Sequence, residues 1–120
     1  MLYVRTVEGK GRGVFAQRLI RQGEILEQAP VIVLPTPEGA WIERTILFQY
    51  CYSWGDTKAL ALGLGSLFNH SYHPNTQYRR EFDQHLIIYT ALRDIAPDEE
   101  LTINYNGAPD DTTPLWFAVR

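Results

Sequence analysis

Cysteine is scarce in this 120-residue sequence, which contains only Cys51. A single cysteine excludes an internal disulfide framework and a zinc site made of four cysteines, and it is compatible with a reducing compartment. The first residues, MLYVRTVEGKG, lack the apolar stretch of a signal peptide, and no uninterrupted apolar run approaches membrane length. We therefore expect a soluble intracellular protein without membrane contacts, in the cytoplasm or, in a eukaryotic host, in the nucleus.

Long basic runs are missing as well. The net charge is −3, and the 11 Lys and Arg residues are spread along the chain. This distribution argues against direct binding to nucleic acid. Residues 94–111 contain six acidic residues and no basic one, so this stretch is either a solvated acidic face or a surface that attracts a basic peptide.

Short strands separated by turns account for most of the chain. The length and the 45% hydrophobic content suit one globular domain, residues 1–120, with one core. Alternating or β-branched stretches between turn signals predict strands at 2–7, 13–18, 24–35, 75–82, 85–93 and 100–105. Residues 41–54 combine a helical spacing with an aromatic strand pattern and predict a short helix that runs into a strand. The expected fold class is mainly β, with few short helices.

A glycine motif lies near the start of the chain, in EGKGRGVFA, with glycines at positions 9, 11 and 13. Glycine permits positive φ and lets the backbone approach a ligand closely. The spacing matches neither a phosphate-binding loop nor a dinucleotide fingerprint, and no helical pattern follows. Taken alone, the motif is more often a plain β-turn than a binding site.

A polar cluster follows an apolar run in GSLFNHSYHPN, residues 65–75. Burying such side chains is costly unless the backbone or a ligand pairs with them. His70 and His73 stand three residues apart, which suits a metal site on a helix, but Pro74 argues against a helix here. We therefore expect no metal. Tyr105, which closes DEELTINY, is by itself compatible with an ordinary strand aromatic.

Together, GKGRGVFA, GSLFNHSYHPN and DEELTINY, in this order and spacing, resemble the SET domain of protein lysine methyltransferases, in particular its small stand-alone viral and bacterial members. The resemblance covers about Val7 to Tyr105 and leaves residues 106–120 as a tail. It implies a β-clip-like fold of short strands in small sheets. It also implies a C-terminal pseudoknot, which departs from the usual rule that connections are not threaded.

The resemblance further implies an enzyme that transfers a methyl group from S-adenosylmethionine to a lysine of a basic protein or peptide, with a histone or histone-like protein as the expected substrate. In the family pattern Tyr105 is the catalytic tyrosine. The implied cofactor-binding residues are Lys10, Gly11 and Arg12, mainly through their backbone, together with Asn69 and His70. The alternative is an inactive SET-derived module that binds a peptide or the cofactor.

The chemistry agrees with these roles. The attacking lysine amine must be neutral, desolvated and aligned, and burial beside a positive charge lowers its pKa from the usual value of about 10.4. The Tyr105 hydroxyl is suited to orient the amine, since its own pKa near 10 makes it a poor base. Tyr50 and Tyr52 are either walls of the lysine channel or ordinary core aromatics.

The sequence departs from the family pattern at several points. Ser66, Leu67 and Phe68 replace the usual Arg-Phe-Ile before the Asn-His pair, and the cysteine-rich zinc segment after the domain is missing. We expect Trp116, with Phe117 beside it, to close the cofactor site instead. The second tyrosine that follows the catalytic one in some members is absent, so the number of methyl groups added stays open. The apolar tail needs a cover, which suggests a homodimer.

Overall fold

Two small β-sheets form the computed structural model, which describes residues 1–115. In chain order the strands are β1 (Leu2–Val7), β2 (Gly11–Ala16), β3 (Ile25–Val33), β4 (Cys51–Trp54), β5 (Thr57–Ala61), β6 (Asn69–His70), β7 (Thr76–Glu81), β8 (Leu86–Ala91) and β9 (Glu100–Ile103). One sheet has the order β1-β2-β9-β6 and the other β4-β5-β3-β8-β7. The mainly β fold predicted from the sequence is confirmed. Trp116 and Phe117, predicted to close the cofactor site, lie outside the described residues.

The helical part of the structure precedes β4. Helix α1 (Thr36–Trp41) begins after Pro35 with a proline in its first turn, where the missing N–H costs nothing. Two 3₁₀ helices, Ile42–Arg44 and Ile46–Tyr50, then lead directly into the strand. The predicted order of helix and strand in residues 41–54 is therefore confirmed, although the helix starts earlier. Within residues 1–115, no helix is long and apolar enough to cross a membrane.

Strand β3 continues through Pro30, where the sequence pattern is broken. Residues Ile25 to Pro30 pair with β8, and residues Val31 to Val33 pair with β5. Pro30 has no N–H to donate, and it lies where the strand changes partner, so no ladder bond is lost. Its carbonyl oxygen still accepts a hydrogen bond from the Leu62 amide at 2.8 Å. The middle strand of the five-stranded sheet thus pairs with β8 up to Pro30 and with β5 after it.

Strands β5 and β6 are not predicted by the sequence pattern. Strand β5 overlaps the start of an apolar run, residues 59–68, that contains no polar alternation, and β6 is the two-residue Asn-His pair that follows this run. The second strand is predicted at 13–18, whereas β2 begins at Gly11. The start of β2 is determined by its pairing with β1, in which Val7 lies opposite Gly11. Local composition does not reveal this pairing.

Strand β6 is only two residues long, but it joins distant parts of the chain. It runs parallel to β9, with Asn69 opposite Thr102 and His70 opposite Ile103. The Ser71 amide donates to the Ile103 carbonyl at 2.9 Å. The middle and last sequence motifs are therefore adjacent in space. The threading implied by the predicted pseudoknot stays a prediction.

Asn75 ties this junction together from inside the protein. Its side chain is 2% exposed and uses both ends of the amide: Nδ2 donates to the Glu100 carbonyl at 2.7 Å, and Oδ1 accepts from the Thr102 amide at 2.9 Å. The Asn75 carbonyl also accepts from the Leu92 amide at 2.8 Å. A side chain thereby replaces the ladder bonds that a longer β6 would make with β9.

The acidic stretch 94–111 is largely engaged in local contacts. Asp94 accepts a hydrogen bond from the Gln22 amide at 2.8 Å, and Glu99 pairs with Arg93 at 2.6 Å. Such contacts at exposed turns contribute little stability individually, but they use the carboxylates as turn and ion-pair partners. For these residues the solvated-face interpretation is favoured over a docking surface.

We predict that Asn75→Ala lowers the free energy of unfolding by about 3 kcal/mol, because the Thr102 amide and the Glu100 carbonyl then lose a buried partner. Urea denaturation monitored by tryptophan fluorescence measures this change. Gln77→Ala, at an exposed position on β7, is the control and should change stability by less than about 0.5 kcal/mol. Equal losses in the two variants would contradict the role given to Asn75.

Candidate active site

A cavity of about 250 Å³ opens beside Tyr105. It is lined by residues 48–53, by residues of β5 and β7, and by Ser66, Phe68 and Tyr105. Six of the thirteen described lining residues are aromatic, and Lys58 and Arg80 are the cationic ones. Aromatic side chains in such a lining exclude water from a long side chain that enters the cavity.

Tyr105 is anchored at both ends. Its hydroxyl donates to the Phe68 carbonyl at 2.7 Å, and its backbone amide donates to His70 Nδ1 at 2.9 Å. Burial, and after it the nearby Tyr50 and Glu100, raises the pKa of Tyr105 to about 12. The hydroxyl therefore keeps its proton at neutral pH and directs it to Phe68, while its oxygen lone pairs remain available as acceptors.

His70 is buried and accepts a hydrogen bond from the backbone amide of Tyr105. Desolvation, followed by the charge of Lys10, holds the pKa of His70 below its usual value, so the ring is neutral at neutral pH. Because Nδ1 accepts the Tyr105 amide, the ring proton of the neutral form is on Nε2. The ring also packs edge-on against Tyr72, with centroids 4.5 Å apart. In these contacts the imidazole acts as a positioning group for Tyr105.

Asn69 connects the middle motif to the glycine turn. Its Nδ2 donates to the Arg12 carbonyl at 3.1 Å and to Glu100 Oε2 at 2.7 Å. Glu100 also lies 3.7 Å from Lys10 Nζ. These contacts bring the Asn-His segment beside the glycine turn. They also bring in Glu100, which the sequence analysis did not single out although it belongs to DEELTINY.

Glycine is required at two positions of this turn for different reasons. Gly11 has a φ of +79°, a conformation that other residues rarely adopt, and a Cβ built on it meets no described atom within 4 Å. Gly13 has an ordinary φ, but a Cβ there would lie 2.5 Å from Glu100 Oε2 and 2.8 Å from Asn69 Nδ2. Gly13 therefore makes room for the Asn69–Glu100 pair, and Gly11 leaves an open surface beside it.

Tyr50 and Tyr52 both line the cavity, and their role as walls of a lysine channel stays a prediction. The Tyr52 hydroxyl donates to the Gly65 carbonyl at 2.6 Å, and its ring packs edge-on against Tyr78 with centroids 5.2 Å apart. Tyr52 is thus both a wall residue and part of the packed interior. Trp116, the remaining predicted site residue, lies outside the described part of the chain.

Comparison with known proteins agrees with this geometry. The SET domain family model matches residues 11–106, which include Gly11 and Gly13 of the glycine turn, the Asn-His pair and Tyr105. The chain belongs to the SET-domain family of lysine methyltransferases. A histone-lysine N-methyltransferase specific for lysine 37 of histone H3, from Schizosaccharomyces pombe, is 40% identical over 118 residues, or 97% of this chain and 76% of that protein.

Solved structures share the fold of this SET domain. A crystal structure of a candidate histone methyltransferase from Plasmodium falciparum superposes with a TM-score of 0.69 at 28% identity and covers 90% of this chain and 99% of that one. An inhibitor-bound mutant of Polycomb Repressive Complex 2 from Chaetomium thermophilum superposes with a TM-score of 0.73 at 22% identity, over 88% of this chain and 15% of that one. The second likeness concerns the fold alone.

We predict that acidification destabilises this SET domain through His70. Because the pKa of His70 is lowered in the folded state, the unfolded chain binds a proton first, and stability is lost as the pH falls below about 6.5. Urea midpoints measured between pH 7 and pH 5 should decrease, and His70→Gln should flatten this slope. His73→Gln, at an exposed neighbouring position, should retain it. A slope that is unchanged in His70→Gln would contradict the assignment.

Proposed function

We propose that this SET domain transfers a methyl group from S-adenosylmethionine to a lysine side chain in a histone tail. The observation that carries the proposal is the place of Tyr105, which lines the cavity with its hydroxyl bonded to the Phe68 carbonyl and its backbone amide bonded to His70. The histone substrate is supported by the name of the relative that is 40% identical to the chain. A nuclear location in a eukaryotic host would follow from that substrate.

The chemistry of the glycine turn fits the methionine end of the proposed cofactor, which carries an ammonium and a carboxylate. Glu100 and Lys10 offer one charge of each sign, 3.7 Å apart. Asn69 uses both N–H groups of its amide on Arg12 and Glu100, so its contact with a ligand would be made by Oδ1, an acceptor suited to an ammonium. The open surface at Gly11 allows the backbone to approach a ligand.

When bound, the cofactor supplies an activated methyl group on a positively charged sulfonium. The chain's task is to present a neutral amine to that methyl in line. The aromatic residues that line the cavity would remove water from an entering lysine. Lys58 is paired with Glu43 at 2.9 Å and Arg80 donates to the Ser53 carbonyl at 2.6 Å, so desolvation rather than these cations would lower the pKa of the lysine amine, and no strong protein base is required.

The remaining role falls to Tyr105. Because its proton is directed to the Phe68 carbonyl, its oxygen can accept a hydrogen bond from the amine and fix the direction of the attacking lone pair. With a pKa of about 12, the tyrosine does not remove the proton itself. We therefore assign it an orienting role in the transition state, in contact with the reacting amine.

Two earlier expectations stay predictions. A homodimer is one, and the number of methyl groups added is the other. The rival function, an inactive module of SET ancestry that binds a peptide or the cofactor, is tested by turnover. It receives no specific support from the site, whose cavity, anchored tyrosine and charged glycine turn are all present.

We predict that Tyr105→Phe lowers kcat roughly a hundredfold while the Kd for S-adenosylmethionine changes by less than about twofold, because only an orienting contact is lost. Transfer of labelled methyl groups to recombinant histone H3 measures kcat, and calorimetry measures Kd. Tyr3→Phe is the matched control, since it removes a hydroxyl on β1 that is bonded to Asp98 at 2.8 Å and belongs to none of the described residues that line the cavity. It should leave both constants unchanged.

A wild-type protein that binds S-adenosylmethionine but methylates neither histone H3 nor any protein of a host lysate would contradict catalysis and favour the binding module. Activity on proteins other than histones would retain the methyltransferase and overturn only the proposed substrate.

A further inference from the structure

Tyr89 is a tyrosine in the interior of the five-stranded sheet that has no part in the proposed chemistry. It lies on β8, opposite Glu27 of β3 on one side and Tyr78 of β7 on the other. Its side chain is fully buried. It is not among the described residues that line the cavity. A phenol in such a place could be replaced by phenylalanine unless its hydroxyl has a task.

The hydroxyl of Tyr89 belongs to a small hydrogen-bond network. It lies 2.8 Å from the Tyr52 hydroxyl and 3.0 Å from the Gly65 carbonyl, and the Tyr52 hydroxyl donates to the same carbonyl at 2.6 Å. Two phenols therefore converge on one backbone oxygen. Each hydroxyl has a single proton. Tyr89 therefore donates either to the Tyr52 hydroxyl, which itself donates to Gly65, or to the Gly65 carbonyl directly, and in both arrangements it restrains that carbonyl.

Gly65 allows this convergence because it has no side chain. A Cβ at this position would lie 2.9 Å from the Tyr89 hydroxyl and 2.7 Å from the Cβ of Ala61. The backbone thus passes closer to the sheet than any other residue would permit. The carbonyl is held by the two phenols at the point of closest approach.

The ring of Tyr89 contacts the same segment at Phe68, three residues after Gly65. It stacks on Phe68 with centroids 4.5 Å apart and an interplanar angle of 18°. The carbonyl of Phe68 is the acceptor for the Tyr105 hydroxyl. The hydroxyl of Tyr89 therefore restrains the start of residues 65–68, and its ring restrains the end that meets Tyr105.

From these contacts we infer that Tyr89 is a positioning residue for methyl transfer: through Gly65 and Phe68 it sets the direction in which the Tyr105 hydroxyl points. The inference rests on the proposed function. It concerns a residue that is not among the described residues of the cavity lining and acts through the segment 65–68, which it contacts directly and through Tyr52. A shift of this segment moves the acceptor of the Tyr105 proton, and small displacements of an aligned group reduce the rate strongly.

The decisive variant is Tyr89→Phe, which keeps the ring stack and removes the hydroxyl. We expect kcat to fall roughly tenfold, with KM for histone and cofactor changed by less than about twofold, because binding groups are untouched. In a Tyr105→Phe background the same change should have no further effect on kcat, since the hydroxyl that it positions is already absent. If Tyr89→Phe acted only by destabilising the protein, it would lower kcat by the same factor in the wild-type and Tyr105→Phe backgrounds.

A spectroscopic measurement tests the inference independently of turnover. The ¹³C chemical shift of the Phe68 carbonyl reports its hydrogen bond with Tyr105, and it should change in Tyr89→Phe but not in the control Tyr3→Phe. An unchanged shift together with an unchanged kcat, or a full tenfold loss in the Tyr105→Phe background, would overturn the inference. An inactive wild-type protein would contradict the proposed function alone, because the carbonyl shift would still decide the role of Tyr89.

Incorporation of 4-aminophenylalanine at position 89 covers the case in which Tyr89→Phe does not fold. This residue keeps the size of tyrosine and a donor at the same end of the ring. We expect its kcat to stay within about twofold of wild type. A folded 4-aminophenylalanine protein with a kcat as low as that of Tyr105→Phe would show that donation from position 89 is not what matters.

Discussion

The parallel pairing of β6 with β9 is the contact on which the site depends. Two residues, Asn69 and His70, are placed beside Thr102 and Ile103, more than thirty positions later in the chain. Through this single short ladder Asn69 faces the glycine turn and His70 receives the Tyr105 amide. If the two strands separated, the charged cluster and the tyrosine would no longer belong to one site.

A pairing this short needs support from side chains. In an ordinary sheet, ladder bonds over several residues compensate for the entropy of bringing distant segments together. Here Asn75, His70 and the Tyr105 hydroxyl each supply a bond between side chain and backbone across the junction. Buried polar groups are tolerated when all are satisfied, and a satisfied network also selects one arrangement of the core. The polar cluster that looked costly in the sequence is what closes the site.

Sequence patterns predicted the strands with clear alternation and, through three motifs, the family. They did not predict β5, which overlaps an apolar run without periodicity of its own, or β6, which has two residues and a pairing partner more than thirty positions away. Glu100 and Tyr89 were missed for the same reason. A carboxylate in an acidic stretch and a tyrosine in a strand look ordinary until the fold brings Lys10 and Gly65 to them. Conversely, the acidic charge that suggested a docking surface is largely used in turns.

Native-state hydrogen exchange tests the central claim most directly. The amides of Ser71 and Tyr105, which donate to the Ile103 carbonyl and to His70 Nδ1, report the junction between β6 and β9. If the junction is integral to the fold, both amides exchange only by global unfolding, with the same free energy as the buried amides of β8. Exchange of these two amides through a low-energy local opening, while β8 stays protected, would contradict the account.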